Sequence, residues 1–225
     1  MPAYNESEII SEIVDEWSKT ATDCNGILAV INDGSSDDTS DILKDKFDKH
    51  CEFIYIEKQN SGHGLTCMEG YRWAISNDFK WIFQTDSDGQ TKSKEFLEIW
   101  KQKEDHDFIF GYRINRADGL GRKVISKILQ MVNLLIFKIY VKDVNVPFRL
   151  MKTKSLNPLL DKIKSELYLA NAFLTVIIEK YAKINWVEIS FSPRKGGVPS
   201  VSWNRFFGLG FRISKEFWQI RNQIK

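Results

Sequence analysis

Between residues 26 and 111 the chain repeats one pattern. A short apolar run ends in a cluster of Asp, Asn, Gly and Ser, and a stretch with apolar residues at helical spacing follows. Residues 26–32 (GILAVIN), 52–57 (EFIYIE), 80–85 (KWIFQT) and 107–111 read as strands, the first bounded like a buried parallel strand. Residues 6–19 read as an amphipathic helix carrying Ile10, Ile13, Val14 and Trp17 on one face. Residues 36–47 and 65–75 and the region around Phe96, Leu97 and Trp100 read as further helices. Strands alternating with helices predict βαβ units and a mostly parallel sheet, which places ligands at the carboxyl ends of strands. The clusters Asn32-Asp33-Gly34-Ser35 and Thr85-Asp86-Ser87-Asp88 stand at two such ends.

The second half departs from this rhythm. Residues 123–140 predict a long, basic, amphipathic helix, 165–181 another helix, 184–191 a strand, and 205–224 an aromatic-rich final helix. Nothing resembling a linker separates the halves, so the 225 residues read as one domain with halves 1–112 and 113–225. Charge divides along the same line. Residues 1–112 carry a net −12, residues 113–154 a net +8 and residues 194–225 a net +6, although the whole chain is only +2. That asymmetry points to an anionic partner or a membrane surface. Cys24, Cys51 and Cys67 form no C-x-x-C pair, which argues against a disulfide framework or zinc site and for a reducing compartment. No run reaches the about 18 apolar residues of a spanning helix, and no signal peptide is evident.

Asp86 and Asp88 alternate on an extended segment after an apolar strand. Such carboxylates converge on a hard cation, Mg²⁺ or Mn²⁺, with Gln90 near enough to add a carbonyl oxygen. An acidic turn capping the next helix is the competing reading. Asp33 could accept hydrogen bonds from a base or ribose, or close a plain Asx turn. Gly62 and Gly64 suit close backbone approach to a ligand, with His63 between them read as a loop residue. Lys123, Lys127, Lys138 and Lys142 surround the stripe Ile128, Met131, Val132, Leu135 and Ile139. The stripe itself reads as core by default and as an interfacial helix on the sharper view.

Together, Pro2-Ala3-Tyr4-Asn5-Glu6, Asn32-Asp33-Gly34-Ser35-Ser36-Asp37-Asp38-Thr39, Asn60-Ser61-Gly62 and Asp86-Ser87-Asp88-Gly89-Gln90 resemble the family 2 glycosyltransferases of GT-A fold, in order and spacing, across residues 1–112. The second half looks like the dolichol-phosphate mannosyltransferase and polyprenyl-phosphate sugar transferase group. There the match runs through Gly111-Tyr112-Arg113, Arg122 with Ser126, Asp143 to Arg149, and Ser192-Pro193-Arg194 with Gly196-Gly197.

The resemblance implies a Rossmann-like α/β domain with a basic C-terminal helical extension. It implies an inverting, metal-dependent glycosyltransferase that takes a sugar from a UDP or GDP sugar and delivers it to a polyprenyl phosphate. Pro2, Tyr4, Glu6, Asp33, Gly62 and Asp86 would hold the nucleotide, and Asp86, Asp88 and Gln90 the metal. Arg113, Arg122, Ser126 and Arg194 would grip the acceptor phosphate, with Asp88 and Arg113 carrying the catalysis. The enzyme would sit at the cytoplasmic face of the membrane, peripherally bound to its anionic surface, with no nucleic-acid partner. A glycan hydroxyl acceptor or a silent sugar-nucleotide-binding protein are the alternatives. A hydroxyl acceptor would need a carboxylate base, for which Glu166 and Glu188 are weak candidates. Relatives also carry a hydrophobic strand leading into Pro-x-Tyr-Asn-Glu. Here Met1 precedes Pro2, so that first strand is expected to be missing.

Overall fold

The computed structural model describes residues 1–50, 53–114, 134, 137–163 and 170–194. The expected helices over residues 123–140 and 205–224 lie largely or wholly outside them, as do Arg122, Ser126, Cys51, Glu166 and Gly196-Gly197.

The strands are β1 (Pro2–Ala3), β2 (Leu28–Asn32), β3 (Phe53–Glu57), β4 (Trp81–Thr85), β5 (Phe108–Arg113), β6 (Phe148–Lys152) and β7 (Asn185–Ile189). The helices are α1 (Ile10–Asp23), α2 (Thr39–His50), α3 (His63–Ser76), α4 (Ser93–Trp100), α5 (Thr153–Leu160) and α6 (Ala170–Tyr181). Two ladders form. The first runs β1-β2-β3, all parallel, and the second β4-β6-β5-β7. In the second, β6 runs antiparallel to both β4 and β5, while β7 is parallel to β5.

α1 buries Ile10, Ile13, Val14 and Trp17, the stripe its spacing predicts. It starts four residues later than expected, and α2 three residues later. The polar groups between, on Asn5, Glu6, Ser7, Ser35, Ser36 and Asp37, bond one another or Thr39 at the start of α2 instead of entering helices. α6 is buried on every side from Ala170 to Ile178, which suits a helix enclosed in the interior. Packed against the core, half-buried Phe83 stacks on Trp17 at 5.5 Å and meets Phe96 at 4.4 Å and Phe148 at 4.8 Å. That cluster ties α1 and α4 to both β4 and β6.

The first strand is not wholly missing, which corrects that expectation. Pro2 and Ala3 pair in parallel with Ile31 and Asn32, and the Met1 amine donates to the Ala29 carbonyl at 2.8 Å. The strand is two residues long. It does not reach β4, so the sheet is divided there. No helix among the described residues is long and apolar enough to cross a membrane.

Candidate active site

The chain brings its polar clusters to one end of the sheets, past the carboxyl ends of β1, β2 and β4. After β1, Asn5 takes a left-handed conformation (φ 54°), and its side-chain oxygen accepts the Ser36 N–H at 2.8 Å. The Glu6 N–H donates to Thr39 Oγ1 at 2.8 Å and the Ser7 N–H to Asp37 Oδ2 at 3.1 Å. The first loop is thereby fixed to the loop after β2.

Asp33 is buried. Its carboxylate receives Lys58 Nζ at 2.7 Å, the Ser61 N–H at 2.8 Å and the Gly62 N–H at 2.9 Å. Burial by itself would raise its pKa, but the bonds from Lys58 and Ser61 outweigh it and hold the carboxyl below its ordinary value. In this arrangement Asp33 clasps the loop that leads into α3. Gly34 is obligatory beside it. Its φ is +65°, and a Cβ there would lie 2.8 Å from the Asn60 nitrogen. Tyr4 is exposed.

Asp86 and Asp88 follow β4 directly. Asp88 is buried and accepts the Gln90 N–H at 3.1 Å, and its pKa is lifted to about 6 by burial and then by the charge of Asp86. Two neighbouring carboxylates, one of them still open to solvent, fit a divalent cation that shares its remaining ligands with a substrate phosphate. Among the described residues no group of three acidic, His or Cys side chains closes a complete metal site. Gln90 turns its amide nitrogen to the Ser192 carbonyl at 2.9 Å, while Ser192 N–H donates back to the Gln90 carbonyl at 2.9 Å. It therefore also anchors the segment after β7.

That anchoring carries Arg194 over the acidic cluster, where it pairs with Glu6 Oε1. Glu6 is buried and its pKa is raised to about 7, first by desolvation and also by Asp88 and Asp86, against the pull of Arg194. Its Oε2 has no hydrogen-bond partner among the described residues. Glu6, Asp86, Asp88 and Arg194 thus form one electrostatic unit. Arg113 stands apart from it. Its Nε and Nη2 make a bidentate pair with Asp143 at 2.7 and 2.8 Å, and its guanidinium lies 4.9 Å from the Phe191 ring. The guanidinium fork expected to meet an acceptor phosphate is engaged by a carboxylate here.

Several contributors escape sequence reasoning. Lys58 gives no motif signal, yet it neutralises Asp33. His63 is not a loop residue but the first residue of α3, with Nε2 3.7 Å from Asp86. Asp143 has a role only once β5 is folded against it. A buried chain of polar groups also reaches Asp86 from behind. Arg149 bonds Asn171 Oδ1 at 2.5 Å, Tyr71 bonds both Asn171 and Gln84, and Gln84 Nε2 donates to Asp86 at 3.2 Å. Glu188, weighed as a base, accepts the Tyr112 hydroxyl.

Comparison with known proteins bears on family and fold. The model of the family "Glycosyl transferase family 2" matches residues 1–165. An uncharacterised protein of Methanocaldococcus jannaschii is 29% identical over 167 residues, covering 69% of this chain and 71% of that one. The undecaprenyl-phosphate 4-deoxy-4-formamido-L-arabinose transferase of Salmonella paratyphi B is 30% identical over 141 residues. That match covers 59% of this chain and 41% of the transferase, so the chain spans less than half of that relative. Among solved structures, glucosyl-3-phosphoglycerate synthase of Mycobacterium tuberculosis with Mn²⁺, UDP-glucose and phosphoglyceric acid superposes with a TM-score of 0.69 at 13% identity. It covers 98% of this chain and 78% of the synthase, a likeness of fold. The chain belongs to glycosyl transferase family 2 and has the GT-A fold.

Proposed function

We propose that the protein transfers a sugar, with inversion, from a nucleotide-sugar donor to a polyprenyl phosphate at the cytoplasmic face of a membrane, with the help of Mg²⁺ or Mn²⁺. The observation that carries this reading is the pair Asp86 and Asp88 after β4, set beside Glu6 and Arg194. Asp86 and Asp88, with Gln90, would hold the metal, which when bound neutralises charge on the departing nucleoside diphosphate. Pro2, Tyr4, Glu6 and the Asp33–Gly62 clasp border the space for the nucleotide. The tight turns around Gly34 and Gly62 let backbone approach it closely.

A phosphate acceptor is ionised near neutral pH, so its oxygen can attack the anomeric carbon without a base. This chain's part is then to position the two substrates and exclude water. Arg194 is held at the acidic cluster by Glu6, and a phosphate entering there would compete for the same guanidinium. Arg113, with Arg122 and Ser126, would complete the acceptor grip once Asp143 shares or yields it. The Salmonella relative acts on an undecaprenyl phosphate by its name, which supports a lipid phosphate here. The basic second half supports an anionic membrane surface as its setting.

One observation favours a second reading. Glu6, with a pKa of about 7 and a carboxylate oxygen without a partner among the described residues, has the properties of a general base for a sugar hydroxyl. The deciding experiment incubates the protein with UDP and GDP sugars, Mn²⁺ or Mg²⁺, and either a short polyprenyl phosphate or a glycan acceptor, and reads product masses. Lipid-linked sugar that disappears with a chelator and in Asp88→Ala supports the first reading. Product with the glycan alone, lost in Glu6→Gln, would replace it with the second. Binding of donor without product from either acceptor would leave a silent binding protein.

A further inference from the structure

Behind Asp86 the interior is polar where a core is ordinarily apolar. In the antiparallel ladder Gln84 on β4 stands directly opposite Arg149 on β6, so their side chains share one face of the sheet. Tyr71 on α3 and Asn171 on α6 meet them there. None of the four is more than 3% exposed. Asp86 lies two residues beyond Gln84 and turns its carboxylate to the same side, where Gln84 Nε2 reaches Oδ1 at 3.2 Å.

Arg149 is the fixed end of this group. The acceptors it meets among the described residues are all neutral: the carbonyls of Val144, Val146 and Asn171, and the Asn171 side-chain oxygen. A guanidinium can only donate. Asn171 must therefore turn Oδ1 toward it, which turns Nδ2 toward Gln84, 3.3 Å from Oε1. Gln84 must then present Oε1 to Asn171 and is left with Nε2 for Asp86. The Tyr71 hydroxyl shares its single proton between the oxygens of Asn171 and Gln84, at 2.9 and 3.1 Å, and supports the same order. Reversing either amide would set N–H against N–H or oxygen against oxygen in the interior, where an unmet polar group is costly. Two amides that could each point either way are thus held in one orientation by a residue at the far end of the group.

At the near end, Gln84 is the one hydrogen-bond donor to the Asp86 carboxylate among the described residues. His63 Nε2 stands 3.7 Å from the same oxygen, beyond hydrogen-bond reach. A bond to Oδ1 limits rotation of the carboxylate and leaves Oδ2 for a cation. Partners of this kind, one step behind a metal ligand, fix its orientation and raise metal affinity.

We propose that Gln84 is the positioning residue of the Asp86 carboxylate toward its divalent cation, and that Arg149 sets the direction of the Gln84 amide through Asn171. The inference rests on the reading of Asp86 as a metal ligand. It adds that the orientation of this ligand is decided three side chains away, on β6.

The test measures Mn²⁺ affinity without substrate, from the EPR signal of free Mn²⁺, together with Tm. Asn171→Asp keeps an oxygen for Arg149 but replaces the Nδ2 donor with a second acceptor. The Gln84 amide should then reverse and turn its oxygen on Asp86. Mn²⁺ should bind about 10- to 100-fold more weakly. Tm should stay within about 4 °C of the parent, because the new carboxylate is paired with Arg149. The sign is diagnostic, since a carboxylate acting through its charge alone would tighten Mn²⁺ binding. Gln84→Met removes the donor itself and should weaken Mn²⁺ binding by a similar factor, which carries the test even if Asn171→Asp loses its fold. In the double variant the Asn171 change should add no further loss, because its route runs through Gln84. Additive losses there would overturn that route. Affinity unchanged in Gln84→Met, or unchanged or tightened in Asn171→Asp, with binding still lost in Asp88→Ala, would overturn the proposal and leave the metal reading standing. A parent chain that binds no Mn²⁺ at millimolar concentration would overturn both.

Discussion

Arg194 donates to the carboxylate of Glu6, joining the first loop of the chain to a segment 188 residues further on. Glu6 carries the raised pKa expected of a carboxylate buried beside Asp86 and Asp88, and Arg194 is the cation that keeps it ionisable near neutral pH. Removing the arginine by Arg194→Ala should move the Glu6 carboxyl further up, into the protonated form at pH 7. Transfer, measured as kcat/KM at pH 7, should fall by about 10- to 100-fold, about 1.4 to 2.7 kcal/mol of transition-state stabilisation. Arg194→Lys should recover part of it, because a point charge replaces the fork.

The same cluster sets a pH dependence of stability. Glu6 titrates at about 7 and Asp88 at about 6 in the folded chain, both above their ordinary values of 4.5 and 3.8. Between about pH 4 and 7 the folded chain therefore binds more protons than the unfolded one, so stability declines as pH rises through that window. The decline should be on the order of a few kcal/mol. Urea titrations at several pH values should show it without added cation. Mn²⁺ should flatten the curve, and Glu6→Gln should remove its upper part.

Asp88→Asn separates function from stability. The change relieves the like-charge repulsion with Asp86. Its Tm without metal should match or exceed that of the parent, while product formation falls by about a thousandfold, since a ligand of the proposed metal is lost. A variant that is inactive because it is unfolded would show the opposite Tm change.

Arg113 and Asp143 are both about nine-tenths buried at their side chains and bidentately paired. Arg113→Ala should cost about 3–5 kcal/mol, because Asp143 is left as an uncompensated charge. The double variant Arg113→Met with Asp143→Leu should recover most of that in urea unfolding. Loss of lipid-phosphate turnover in the stable double variant would assign Arg113 a part in the acceptor grip beyond its structural one.

Gly34→Ala tests the turn. With φ at +65° and the Asn60 nitrogen 2.8 Å from the place the added methyl would occupy, the substitution should destabilise the chain by about 1–3 kcal/mol in urea unfolding. It should also loosen the Asp33–Ser61 clasp, seen as faster exchange of the Ser61 and Gly62 amides.

Much of the site is legible in the sequence because local chemistry repeats. Apolar runs followed by Asp-rich turns locate the ends of β2 and β4, and Asp33, Asp86 and Asp88 stand there. Helix starts are less legible. Glu6, Ser36 and Asp37 have helix-compatible neighbours, and only the contact between two loops about 30 residues apart withdraws them from α1 and α2. β6 is not legible either. Phe148–Lys152 reads in part as a motif, and its antiparallel place between β4 and β5 depends on partners far away in the chain.

The sequence by itself determined the order of strands and helices over residues 1–113, the family, and which acidic side chains end up at strand ends, because periodicity and turn chemistry act over a few residues. Tertiary structure alone decided which charges meet. Lys58 went to Asp33, Arg194 to Glu6 and Arg113 to Asp143, pairs selected by burial, where an unpaired charge is most costly. It also decided that Pro2–Ala3 forms a strand, since only the parallel pairing with Ile31 and Asn32, far away in the chain, gives two residues ladder partners.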